Sequence, residues 1–183
     1  MRSRRIQKDE KIKQPTSGDP KDPLEVEADV IDADGRVSYP LDLRQSSALV
    51  IHCADPRFQA AFRRFVTEEL GIATYTPLVI GGGAQSFGAQ TFLPKNFKVA
   101  WQQVKFFISV GNLREVVIIN HEDCLWYRHM SGYHPTIELP TKQKLDLAHT
   151  AKMVLADFAG VRVRSFMAKI DGDHVYFVPV ERA

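Results

Sequence analysis

The stretch ALVIHCADPR, residues 48–57, decides the fold of this 183-residue chain. Ala48 to Ile51 form a short apolar run with no polar alternation, which predicts a strand buried on both faces. Polar groups follow at once. Pro56 then opens a segment, running to Leu70, in which Phe58, Ala61, Phe62, Phe65 and Leu70 recur at helical spacing before Gly71 closes it. The order is strand, loop, helix.

The same order recurs downstream. Pro77 to Ile80 predicts a second strand, ending in Gly81-Gly82-Gly83, and a helix follows from about Asn96 to Val110 before the Gly111-Asn112 stop. Val116 to Asn120 predicts a third buried strand that ends at His121. A helix from about Thr141 to Phe158 carries Leu147, Ala151, Val154, Leu155 and Phe158 on one face and stops at Gly160. Two last strands, Val161 to Ile170 and His174 to Val180, turn at Asp171-Gly172-Asp173. The expected class is α/β, with a mainly parallel sheet flanked by helices and the last strand antiparallel at an edge. In such sheets functional groups gather where loops leave the carboxyl ends of strands.

Upstream of residue 48 the composition differs. Residues 1–13 hold six basic residues against two acidic ones, and residues 19–34 hold seven acidic residues against Lys21 alone, with Pro15, Pro20 and Pro23 at their borders. Residues 1–47 are therefore expected to be a charged N-terminal arm, partly disordered or in contact with a partner, and residues 48–183 a metal-binding α/β domain. Alternation on both sides of Asp34-Gly35, within Val26 to Leu43, predicts a weak hairpin.

The chain carries 24 Lys and Arg against 22 Asp and Glu, a formal net charge of +2 that excludes any electrostatic case for a nucleic-acid partner. No apolar run approaches the roughly 18 residues of a membrane span. The basic N-terminus has no apolar segment behind it, and two cysteines cannot build a disulfide framework. A soluble, cytoplasmic protein is expected.

Those two cysteines carry the chemistry. Cys53 follows the strand Ala48 to Ile51, and Cys124 lies in His121-Glu122-Asp123-Cys124 after the strand Val116 to Asn120. If the two strands are neighbours, their loops converge and bring Cys53, Asp55, His121 and Cys124 within reach of one ion. Two thiolates, an imidazole and a carboxylate are a borderline-soft set that suits tetrahedral Zn2+. The competing reading makes both cysteines buried apolar residues; their shared placement beside chelating groups favours the metal.

Cys-x-Asp-x-Arg (Cys53, Asp55, Arg57) and His-x-x-Cys (His121, Cys124), each at a strand end, resemble the zinc site of the beta-class carbonic anhydrases. The resemblance runs from about Ala48 to Val180 and includes the Gly111-Asn112-Leu113-Arg114-Glu115 lead into the third strand. It implies Cys53, His121 and Cys124 as permanent Zn2+ ligands, with water or Asp55 in the fourth position and Arg57 pairing with Asp55 to decide between them. It also implies reversible hydration of carbon dioxide to bicarbonate and a proton, in at least a homodimer. Two alternatives use the same zinc: hydrolysis of carbon disulfide or carbonyl sulfide, and a non-catalytic zinc protein with Asp55 kept on the metal.

The chain departs from the family pattern in three places. Leu125-Trp126-Tyr127 follow Cys124 where the family usually has glycine, and Gly81-Gly82-Gly83-Ala84 stand where many members carry an arginine-containing loop. Gly82 and Gly83 are candidate substrate-pocket residues, since glycine permits close backbone approach, with a plain turn as the alternative. The N-terminal arm lacks the helical pattern that family dimers often exchange.

Other motifs fall away. A cysteine phosphatase loop opening at His52-Cys53 needs arginine where Gln59 stands, and the glycines from Gly81 to Gly88 lack both the Lys-Ser or Lys-Thr and the third glycine of nucleotide loops. His129 and His134 are candidate proton carriers, though loop histidines are usually simply exposed. Trp126, Tyr127 and Tyr133 are expected to bury a subunit contact rather than line the pocket.

Overall fold

A computed structural model of the chain describes residues 30–31, 34–39, 41–133 and 136–181. The chain divides into two units at Leu43–Arg44. In the first, strands β1 (Val30–Ile31) and β2 (Val37–Ser38) pair antiparallel around Gly35, whose φ of 77° takes the left-handed turn. The expected hairpin is there in minimal form. The charge blocks at 1–13 and 19–29 lie outside the described residues.

The second unit is a five-stranded sheet. β3 (Ala48–His52) lies between β4 (Tyr75–Val79) and β5 (Glu115–His121) and is parallel to both; β6 (Arg162–Asp171) is parallel to β5, and β7 (His174–Pro179) is antiparallel to β6. The order across the sheet is β4-β3-β5-β6-β7. This is the expected mainly parallel sheet with an antiparallel edge.

The side-chain alternation of β3 and β5 divides the core in two. Leu49, Ile51, Val116 and Ile118 face α3 (Pro94–Gly111) and α5 (Leu139–Asp157), which contribute Trp101, Val104, Leu147 and Val154. Val50, Val117 and Ile119 face the other way, onto Phe58, Phe62, Phe65 and Val66. Each such fully buried side chain contributes about 1.5–3 kcal/mol. Both faces are therefore covered, which is why these strands read as unbroken apolar runs.

The segment after β3 is one helical stretch of changing pitch: a 3-10 turn (Pro56–Phe58), α1 (Gln59–Arg64) and a π turn (Phe65–Glu69). Leu70 N–H reaches back to the Phe65 carbonyl at 3.0 Å, and Gly71 ends the stretch at φ 70°. β4 begins two residues before the expected Pro77, because Tyr75 and Thr76 pair with Ala48 and Leu49. A proline is tolerated there because β4 is an edge strand. α3 and α5 likewise start two residues early, with Pro94 and Pro140 in their first turns. Two short helices, α2 (Gln85–Gly88) and α4 (Leu125–His129, continued by a 3-10 turn Met130–Tyr133), show no sequence signal because one turn is too short for periodicity.

This winding places the site. The crossover from β3 to β4 covers one face and that from β4 to β5 covers the other, so the chain leaves β3 and returns to β5 on opposite sides. A crevice opens at the carboxyl ends of those two neighbours, the switch point at which α/β sheets bind ligands. No helix among the described residues is long and apolar enough to cross a membrane.

Candidate metal centre

Cys53 follows β3 directly, and His121 is the last residue of its neighbour β5. Asp123, in the left-handed region at φ 56°, turns the chain so that Cys124 becomes the N-cap of α4. The donor atoms of Cys53, His121 and Cys124 all lie within 4.8 Å of one another, and all three residues are buried. The two sulfurs are 3.8 Å apart and the cysteines are free. That separation far exceeds a disulfide bond and equals the edge, about 3.8 Å, of a tetrahedron with 2.3 Å Zn–S bonds.

His121 provides an independent test of fit. Its Nδ1–H donates to the Glu122 carbonyl at 2.7 Å; a carbonyl only accepts, so this bond sets the tautomer and leaves a lone pair on Nε2. Nε2 is buried without a hydrogen-bond partner, one of two such side-chain atoms among the described residues. An orphaned buried acceptor costs about 1–3 kcal/mol. A metal ion held with the two sulfurs would relieve it, and a backbone-anchored Nδ1 is how metal-ligating imidazoles are usually oriented. The second buried histidine, His52, donates from Nδ1 to the Cys53 carbonyl at 2.9 Å, and burial holds its pKa below the usual value. It stays neutral and stands outside the cluster.

The two sulfurs are within hydrogen-bonding reach of each other. The hydrogen bond from Cys124 leads, with the Gly82 N–H at 3.3 Å among the helpers, in pulling Cys53 down to about 4; the same bond holds Cys124 up. A metal bound there would displace the protons that the two thiols carry.

Asp55 is not one of the three clustered donors. Its Oδ1 accepts the Arg57 N–H at 3.0 Å and caps the helical stretch, and both carboxylate oxygens take the Arg57 guanidinium, Nε–Oδ1 at 3.1 Å and Nη2–Oδ2 at 2.8 Å. These bonds hold the Asp55 carboxyl below its usual range, so it is ionised at neutral pH. Arg57 also donates from Nη1 to Asp123 Oδ2 at 3.1 Å and from Nη2 to the Asp123 carbonyl at 3.3 Å, while Arg128 pairs with the same carboxylate. One guanidinium therefore joins the two loops that carry the cysteines. Asp123 has no standing in the sequence reading; the signal available was an Asp inside a tight His-x-x-Cys turn, where left-handed backbone favours it.

A cavity of about 460 Å³ adjoins the cluster, lined by Cys53, Ala54, Asp55, Pro56, Arg57, Gly81, Cys124, Leu125 and Trp126. Gly81 borders it, whereas Gly82 and Gly83 are buried in the turn itself. The indole of Trp126 lies across that turn: a Cβ on Gly81 would stand 3.2 Å from its Cδ2, and one on Gly82 2.4 Å from its Cδ1. Trp126 is thus a pocket wall. Tyr127, at 1% exposure, belongs to the core of the chain itself and so does not cover a subunit contact, whereas Trp126 keeps an exposed face and the side chain of Tyr133 lies outside the described residues. His129 ends α4 on the surface, its ring 6.1 Å from Trp126, and His134 lies outside the described residues.

Gly82 combines φ 74° with this collision. Gly82→Ala should cost about 1–3 kcal/mol in urea unfolding. Gly132→Ala, at a glycine with ordinary φ and open space around it, should be close to neutral in the same measurement.

No family model matches the chain, and no curated protein does. Solved structures similar to it include the beta-carbonic anhydrase CafA of Aspergillus fumigatus, at 13% identity over 76% of this chain and 77% of that one, with a TM-score of 0.49. The carbonic anhydrase of Streptococcus mutans is similar at 13% identity over 79% and 87%, with a TM-score of 0.43. The apo form of a carbon disulfide hydrolase is similar at 12% identity over 72% and 78%, also with a TM-score of 0.43. The observed topology and side chains define an α/β protein with a buried Cys-His-Cys candidate metal centre at the switch point of its sheet.

Proposed function

We propose that the chain is a zinc enzyme of the beta-carbonic-anhydrase type that hydrates carbon dioxide reversibly to bicarbonate and a proton. The observation that carries this reading is the division of labour among the four candidate donors. Cys53, His121 and Cys124 converge, while Asp55 is engaged by Arg57. In a purely structural site all four would be expected to converge on the ion.

Cys53, His121 and Cys124 would hold Zn2+, which when bound lowers the pKa of a water from 15.7 to about 7 and so supplies a nucleophile at neutral pH. Asp55, ionised and fixed by a bidentate fork, accepts a hydrogen bond from the attacking water and orients it. Arg57 keeps that carboxylate ionised and directs it away from the donors, and Asp123 braces Arg57 from the second loop. Ala54, Pro56, Leu125 and Trp126 offer apolar walls to a small, linear, uncharged substrate. Carbon dioxide and water then give bicarbonate, and the proton leaves to solvent.

The same walls would receive carbon disulfide or carbonyl sulfide, which are also linear and apolar, and this is the second reading. Zinc content measured together with stopped-flow carbon dioxide hydration from pH 6 to 9 tests the first. One zinc per chain with hydration well above buffer is expected. A zinc-loaded protein without hydration anywhere in that range overturns it, and sulfide release from carbon disulfide by that protein would establish the second. The reading includes a homodimer or larger homo-oligomer, which sedimentation velocity should detect.

A further inference from the structure

Asn120, the residue before His121 in β5, is 1% exposed and uses both ends of its carboxamide. Its Oδ1 accepts the Ala84 N–H at 3.1 Å, and its Nδ2 donates to the Tyr127 hydroxyl at 3.0 Å and to the Gln143 carbonyl at 3.2 Å. Each partner leads to a different donor of the metal centre. Ala84 closes the glycine turn whose Gly82 N–H donates to Cys53 Sγ at 3.3 Å. That turn is pressed against the carboxamide: a Cβ on Gly83 would stand 2.9 Å from Asn120 Oδ1 and 3.4 Å from the Cys53 nitrogen.

Tyr127 lies in α4, which begins immediately after Cys124. Its hydroxyl donates onward to Asp146 Oδ2 at 3.0 Å, and the same carboxylate pairs with Lys142 inside the protein. Gln143, also on α5, donates from Nε2 to the His121 carbonyl at 2.7 Å. One buried side chain is thus bonded to the support of all three donors. A carboxamide meets these demands because it accepts at one end and donates twice at the other; an apolar side chain of similar size would leave the Ala84 N–H without its partner.

We propose that Asn120 is a positioning residue of the metal centre, holding the Gly82 N–H on Cys53 Sγ and the start of α4 under Cys124. The inference rests on the Cys53-His121-Cys124 metal reading and is independent of which substrate the site takes. An N–H donor draws charge from a sulfur and lowers its donor strength, so loosening the glycine turn changes the metal–sulfur bond as well as its stability.

The test uses the full chain loaded with Co2+, whose sulfur-to-metal charge-transfer band reports the thiolates directly, together with Zn2+ affinity by chelator competition. Asn120→Leu should weaken Zn2+ binding about 10- to 100-fold and move the band to lower energy. Tyr127→Phe keeps the ring and removes one of the three partners; it should shift both readouts the same way by less. Val154→Ala is the structural control, since Val154 is a fully buried apolar residue of α5 whose side chain has no polar group with which to join the Asn120 network. It should lower thermal stability and leave the band in place. The inference is overturned if Asn120→Leu folds and keeps the band in place and Zn2+ affinity within twofold, or if Val154→Ala moves the band as far. Should Asn120→Leu not fold, an unshifted band and unchanged affinity in Tyr127→Phe overturn it. A wild-type chain that takes up neither metal defeats the underlying metal reading, which is known before any substitution is made.

Discussion

Cys124→Ser should reduce bound zinc from one ion per chain to less than a tenth and lower the unfolding temperature of the metal-loaded protein. Serine keeps the size and the N-cap position, but its hydroxyl is a poor ligand for a borderline-soft ion, so two neutral or weakly donating groups would face Cys53 alone. Structural zinc contributes about 10–16 kcal/mol of binding free energy in small peptides, and a resident metal at a thousand times its Kd adds about 4.1 kcal/mol to folding stability. The loss should disappear when both proteins are unfolded in chelator, because the cysteine's own packing changes little. A variant that retains stoichiometric zinc would show that the three-donor centre is misassigned.

Arg57→Ala should keep zinc and lose carbon dioxide hydration about 100-fold, the order expected when a reacting group is displaced by about 1 Å. The guanidinium is the shared partner of Asp55 and Asp123, so its removal frees the orienting carboxylate and unlinks the two loops. Asp55 then becomes able to swing onto the metal, which a Co2+ spectrum would register as a fourth protein ligand. The sign of the pH effect follows from the lowered Asp55 pKa. A carboxyl held below its unfolded value contributes stability that is present at neutral pH and lost as pH falls through the folded pKa. The stability gap between wild type and Arg57→Ala should therefore be widest near neutrality and close in acid. Full activity in Arg57→Ala would remove the dyad from the proposal.

The elements that could be read from sequence were those whose evidence is local. Ala48 to Ile51 and Val116 to Ile119, the apolar stretches within β3 and β5, announce themselves as unbroken runs because helices cover both faces of the sheet. The helix after Asp55 is legible through its phenylalanine spacing, though its change of pitch is not, since the same side chains satisfy either pitch over one turn. α2 and α4 were illegible because four or five residues carry no period, and with them went the places of Trp126 and Tyr127. An aromatic pair shortly after a ligand looks like surface or interface until a helix turns one ring over a glycine turn and buries the next.

Donor types and their short spacings are also local, so Cys53, His121 and Cys124 stood out as a set. Whether Asp55 joins them depends on where an arginine two residues on finds its other partner, and Asp123 lies 66 residues away from that arginine. The sequence by itself determined the order of strands and helices, the soft character of the donors and the loops that carry them, because each follows from neighbours along the chain. Tertiary structure alone decided that Cys53 and Cys124, 71 residues apart, come within 3.8 Å, that Nε2 of His121 is left without a partner, and that Asn120 braces all three. Those outcomes require β3 and β5 to pair side by side in register, and the hydrogen bonds and packing that set such pairing run between segments far apart in sequence.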